Sequence, residues 1–114
     1  MVLLDEGLTE LAEQFASLIS KGQWGTGTTT PVVTDTGLET AVAATLLSVT
    51  AISSANAAQF THEVSSALGN GSNLTEYELQ FTDGSSLNRT VGGQIVKTSS
   101  FEITTITNVN FIRG

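Results

Sequence analysis

The sequence predicts a mainly β domain, an antiparallel β-sandwich with one N-terminal amphipathic helix. Three observations predict it. From Ser99 to Ile112, Phe101, Ile103, Thr105, Thr107, Val109 and Phe111 recur at every second position. Glu102, Thr104, Ile106, Asn108 and Asn110 lie between them, and a period of two sorts the two sets onto opposite faces of one long, half-buried strand. Shorter alternating stretches are separated by Asn-Gly, Asp-Gly and Gly-Gly pairs, which punctuate an all-β chain. Only the N-terminal segment breaks this rhythm, with apolar residues at spacings of three and four, the period of a helix lying on a core.

The 114 residues suit a single domain, 1–114, divided into an N-terminal helix over 1–22 and a sandwich over 23–114. A chain of 11.9 kDa exposes about 6,000 Å² when folded and about 17,000 Å² when unfolded. That supports a modest core. With no cysteine in the chain, neither a disulfide nor a thiolate metal site is available to reinforce it. A small β domain without such staples gains most from self-association.

In chain order, Leu4, Leu8, Leu11, Phe15, Leu18 and Ile19 form one stripe, with Glu6, Glu10, Glu13, Gln14 and Lys21 opposite. This predicts a helix from Asp5 to Ser20 that packs on a sheet, with Asp5 as cap and Lys21 and Gly22 at the far end. Gln23 and Trp24 end a short strand. Gly25 and Gly27 then open a Gly/Thr-rich loop of positive φ, closed by Pro31. Residues 32–44 predict a brief helix or an irregular connection. Thr45 to Ile52 reads as a strand with Leu47, Val49 and Ala51 on one side. After a polar turn, Gln59 to Ser66 places Phe60, His62 and Val64 on one face. Asn70-Gly71 predicts a tight hairpin. Leu74 to Phe81 puts Tyr77, Leu79 and Phe81 on one face and Glu76, Glu78 and Gln80 on the other. Asp83-Gly84 makes a second hairpin into Ser86 to Val91. Gly92-Gly93 breaks the chain before Gln94 to Thr98 and the closing strand, whose length calls for neighbours on both edges.

Reaction chemistry is hard to find. His62 is the only histidine and falls on an apolar row, which reads as a hydrogen-bonded core or interface residue rather than a ligand or catalyst. Glu76 and Glu78 share a strand face. One strand does not set the carboxylate separation of a glycosidase, so they read as solvated or paired with Arg89 or Lys97 across the sheet. Gly25 and Gly27 lack the Lys-Ser/Thr and the helix of a phosphate loop. No catalytic, cofactor or metal residue is assigned. Asn70, Asn73 and Asn88 each begin an Asn-X-Ser/Thr acceptor pattern.

The formal charge is −7, with Lys21, Arg89, Lys97 and Arg113 as the strong cations. So few positive groups cannot neutralise a run of phosphates, which argues against nucleic acid as a partner. No apolar run approaches the ~20 residues that span a bilayer, and Asp5 and Glu6 interrupt any signal-peptide centre. Membrane insertion is therefore not expected. The Met1 start suggests a whole gene product.

Several ordered segments resemble the small β-sandwich domains of tailed-virus tail fibres and virion decoration proteins. These are the N-terminal helix running into Trp24-Gly25-Thr26-Gly27-Thr28-Thr29-Thr30-Pro31, then Thr34-Asp35-Thr36-Gly37-Leu38-Glu39. They continue with Leu74 to Phe81, Asp83-Gly84, Leu87-Asn88-Arg89, Lys97 and the Phe101 to Phe111 strand. The chain departs from those domains in having no arginine after Glu39 and in carrying Glu78 after Tyr77. The resemblance implies an antiparallel β-sandwich that is jelly-roll-like, and a non-enzymatic structural virion protein in a tail fibre, baseplate or capsid decoration, assembled in the host cytoplasm. It implies a homotrimer as the working form, with other virion proteins and a host glycan or receptor as further partners. A second expectation, from Trp24 and Tyr77, is a lectin-like carbohydrate-binding module, because aromatic faces stack on sugars.

Overall fold

The computed structural model describes residues 1–113. Helix α1, Asp5–Leu18, runs directly into β1, Ile19–Gly25. A short 3₁₀ turn at Ala43–Thr45 leads to β2 (Leu47–Ser48) and β3 (Thr50–Ser54). The chain continues through β4 (Ala57–Val64), β5 (Asn73–Phe81), β6 (Thr90–Val96) and β7 (Ile103–Asn110). Every pairing is antiparallel, in a four-stranded sheet of order β2-β1-β5-β6 and a three-stranded sheet of order β3-β4-β7. With 42% strand against 15% helix, the protein is the mainly β, two-sheet fold with one N-terminal helix that the alternation predicts.

The two sheets meet over Ile19, Ala58, Phe60, Tyr77 and Leu79, ringed by Phe15, Trp24, Val49, Ala51, Phe81 and Val109. Phe60, the largest of the fully buried side chains, contributes about 1.5 to 3 kcal/mol by leaving water. Helix α1 lies across β3 and β4. Its Phe15 ring meets Phe60, Phe81 and Phe111 at centroid distances of 5.8, 6.5 and 5.5 Å, all edge-to-face.

The helix differs from its expected form in three ways. It stops at Leu18, because Ile19 is already extended (φ −96°, ψ 122°) and joins the ladder opposite Phe81. The division between helix and sandwich therefore falls four residues earlier than residue 22, and neither Lys21 nor Gly22 terminates a helix. Asp5 is the first helical residue rather than the cap, and its exposed carboxylate meets Arg113 Nη2 at 2.8 Å. The apolar stripe is also wider than the sheet beneath it. Leu8 and Ala12 are buried, whereas Leu4, Leu11 and Leu18 stay 63%, 46% and 48% exposed.

Thr45 to Ile52 is not one strand. The Thr45 hydroxyl donates to Val42 O at 2.7 Å and accepts from Trp24 N at 2.9 Å, which holds the 3₁₀ turn against β1. Beyond it, β2 pairs with β1, while β3 belongs to the other sheet. The chain crosses between sheets at Val49, whose N–H donates to Ser20 O.

The Asn70-Gly71 segment is likewise a sheet-to-sheet crossing rather than a hairpin, since β4 and β5 lie in different sheets. The positive φ values fall on Gly69 (69°) and Gly71 (87°). Lys97 closes this crossing. Its backbone exchanges bonds with Gly71 and Ser72, and its buried Nζ donates to Asn70 Oδ1 at 2.8 Å and Thr98 O at 2.9 Å. It therefore serves neutral oxygens and not Glu76 or Glu78.

Asp83-Gly84 does form the β5–β6 hairpin, with Gly84 at φ 89°. Regular pairing resumes only at Thr90, because the Asn88 side chain takes the Leu79 N–H at 3.0 Å, as a ladder carbonyl would. Gly92-Gly93 lies inside β6 and does not end it, but the ladder slips there, from Val91 opposite Glu76 to Ile95 opposite Leu74. A side-chain carbon at either glycine would meet nothing within 4 Å, as befits an edge strand. β7 pairs with β4 in unbroken register from Ala57↔Asn110 to Val64↔Ile103. Its inner row is half-buried and its outer row exposed, as the alternation predicts. It has one neighbour, however, and the expectation of partners on both edges fails because β7 ends the three-stranded sheet.

Candidate functional site

The outer face of the four-stranded sheet is covered by the long loop between β1 and the 3₁₀ turn. Glu76 on β5 is the fixed point of that loop. Its carboxylate is fully buried and accepts from Gly27 N (2.8 Å), Thr40 N (2.8 Å), Glu39 N (2.9 Å) and Arg89 Nε (2.7 Å). Arg89 reaches on to Asp35 Oδ2 at 3.2 Å. Burial alone would favour the neutral acid, but Arg89 and the backbone N–H groups of Thr40, Glu39 and Gly27 outweigh it and hold the Glu76 pKa below its usual value. The pairing of Glu76 with Arg89 follows the sequence expectation. Solvation does not, for the loop seals both β5 carboxylates. Glu78 accepts from Gln80 Nε2 at 2.9 Å and is 3% exposed.

This arrangement also gives Gly25 and Gly27 their reason. Neither has positive φ. Instead, a Cβ would stand 2.5 Å from Glu76 Oε2 at Gly25 and 2.6 Å from it at Gly27. Glycine is required there by the close approach of a carboxylate, a tertiary fact with no local signal. Asp35 as the second partner of Arg89 has none either.

Inside the sandwich, Tyr77 lies between Trp24 (centroids 4.9 Å apart) and His62 (5.4 Å). Gly22 makes room for both rings, since a Cβ there would stand 2.5 Å from Tyr77 Oη and 2.8 Å from His62 Cδ2. His62 is fully buried, with Nε2 3.0 Å from Thr45 O. Burial lowers its pKa, against the opposing pull of the Thr45 and Gly22 backbone, and burial raises that of Tyr77. His62 is thus the core histidine its apolar row predicts. Trp24 Nε1, His62 Nδ1, Tyr77 Oη and Arg89 Nη2 are buried without a hydrogen-bond partner among the described residues. Among those residues there is also no group of three His, Cys, Asp or Glu side chains placed to share a metal ion. Tyr77, 7% exposed, is a core residue and presents no free ring face to a sugar.

Between the sheets, on the side where β6 and β7 are both edges, the sandwich is open. A cleft of about 350 Å³ lies there, lined by Trp24, Tyr77, Thr90, Gly92, Thr105 and Thr107 among others. Two smaller hollows flank Arg89 on the outer face, of about 320 and 290 Å³. Of the three Asn-X-Ser/Thr sites, Asn70 bonds Ser66 O and Lys97, and Asn88 bonds Leu79 N and lies half-buried. Asn73 is exposed at the start of β5.

Fold and cleft together define a two-sheet antiparallel sandwich with a helix along one side. No protein-family model matches the chain, and no curated protein or solved structure matches it either.

Proposed function

We propose that the protein is a non-catalytic structural component of a tailed virus, of tail-fibre, baseplate or capsid-decorating type, working as a homo-oligomer in the virion. The observation that supports the assembly reading best is the uncovered flank of α1. Leu11 and Leu18 are spaced by seven residues and fall within about 20° of one another around the helix, and Leu4 lies just before its first turn. Sealed against a neighbouring copy, each leucine would contribute about 1.5 kcal/mol or more. The exposed outer row of β7 adds one apolar residue, Ile106 at 56%, among Thr104, Asn108 and Asn110, on a strand that has no charge between Ile103 and Asn110.

The virion assignment rests on the ordered segments from Trp24 to Phe111 that resemble tail-fibre and decoration domains, and the trimer is taken from the same resemblance. Light scattering at micromolar concentration tests the assembly reading. We expect an oligomer, and a monomer with unchanged circular dichroism when Leu4, Leu11 and Leu18 are all changed to Ser. A wild-type monomer, together with no copy of the protein in purified particles by mass spectrometry, rejects the proposal.

A further inference from the structure

We propose that the cleft between the β6 and β7 edges is a binding site for one neutral saccharide ring. Its volume of about 350 Å³ lies at the lower end of the range for small-molecule sites. Its lining combines an aromatic surface, the half-buried Trp24, with the hydroxyls of Thr90, Thr105 and Thr107. That is the chemistry of a pyranose, whose C–H face stacks on an aromatic ring while its rim of hydroxyls exchanges hydrogen bonds. No charged side chain lines the cleft, so an anionic or cationic ligand finds no counter-charge there, and a buried unpaired ion is strongly penalised.

The fold keeps the mouth open by construction. Thr90 pairs with Tyr77 on the inner face, and Gly92, at the point where the register with β5 slips, also lines the cleft. A Cβ at Gly92 would meet nothing within 4 Å. A side chain there can therefore occupy the mouth without a clash. On the opposite wall, Thr105 and Thr107 belong to the half-buried inner row of β7, where valine would serve packing equally well and would remove the polar contacts.

The site is independent of the assembly reading and stands or falls on a different measurement. Trp24 is the only tryptophan, so its emission reports on the cleft directly. Titration of the intact protein with neutral hexoses, N-acetylhexosamines and their disaccharides is expected to give a saturable change with at least one of them, in the range of about 1 mM expected for a single shallow site. Gly92→Val is expected to weaken that response at least ~10-fold with an unchanged melting temperature, and T105V/T107V to weaken it while leaving the unliganded spectrum intact. The proposal is overturned by the absence of a saturable change up to about 50 mM. It is equally overturned by a response that survives in Gly92→Val, or by tighter binding of N-acetylneuraminic acid than of every neutral sugar.

Discussion

At the scale of single residues, Glu76 does more than its sequence context announces. One carboxylate gathers three backbone N–H groups from a distant loop and one guanidinium. With Glu76 fully buried, each of those donors loses its partner if the carboxylate is removed. Glu76→Gln keeps the shape but removes the charge that makes these bonds strong. We expect it to cost on the order of 3 kcal/mol, as breaking a buried ion pair does, and to lower the melting temperature by roughly 10 °C for a domain of this size. Limited proteolysis should then cut first between Thr26 and Thr40. A melting temperature within about 2 °C of wild type would show that the loop holds without the clamp.

At the scale of elements, α1 carries two apolar surfaces with different partners. Leu8 and Ala12 are sealed against the sheets, and Leu4, Leu11 and Leu18 are not. Leu8→Ala removes core contacts and should destabilise the fold by about 2 to 4 kcal/mol. Leu11→Ser, by contrast, should leave the stability of a dilute monomer within about 0.5 kcal/mol. Thermal unfolding at low protein concentration separates the two cases. Equal losses would place Leu11 in the core. The spacing of three and four reveals the helix but not this partition, because periodicity records that residues are apolar and not which of them the sheet is wide enough to cover. The strands behaved similarly. Alternation over Phe60 to Val64 and Ile103 to Val109 gave the buried faces correctly. The break at Val49 and the crossing at Asn70 were hidden, since a strand that changes sheets keeps its apolar period.

At the scale of the whole molecule, the protein is extended, 52 × 29 × 25 Å with a radius of gyration of 15.4 Å, against about 13 Å for a compact chain of this length. Its 6672 Å² of accessible surface likewise exceeds the roughly 6,000 Å² of a compact monomer. Stability as a function of pH is also a property of the whole. His62 has a lowered pKa when folded, so below about pH 6.5 the unfolded chain binds a proton that the fold refuses. Stability from this group is complete above that pH and declines as pH falls from it through the folded value. Glu76, also lowered, contributes stability that is present above the ordinary glutamate value of 4.5 and is lost as pH falls through its folded pKa. Chemical denaturation across this range should show two successive acid losses, the first absent in His62→Gln. A wild-type profile flat from pH 7 to pH 5 contradicts the burial of a neutral His62.

The sequence by itself determined the mainly β class, the N-terminal helix, the Asp83-Gly84 hairpin, and the buried faces around Phe60 and Val109. These are local or period-encoded properties, written in neighbouring residues. Only the tertiary structure decided which strands share a sheet, that β6 and β7 end as open edges with a cleft between them, and why Gly22, Gly25 and Gly27 must be glycine. Each of those depends on contacts between residues tens of positions apart, and no local pattern of side chains records which distant surface arrives.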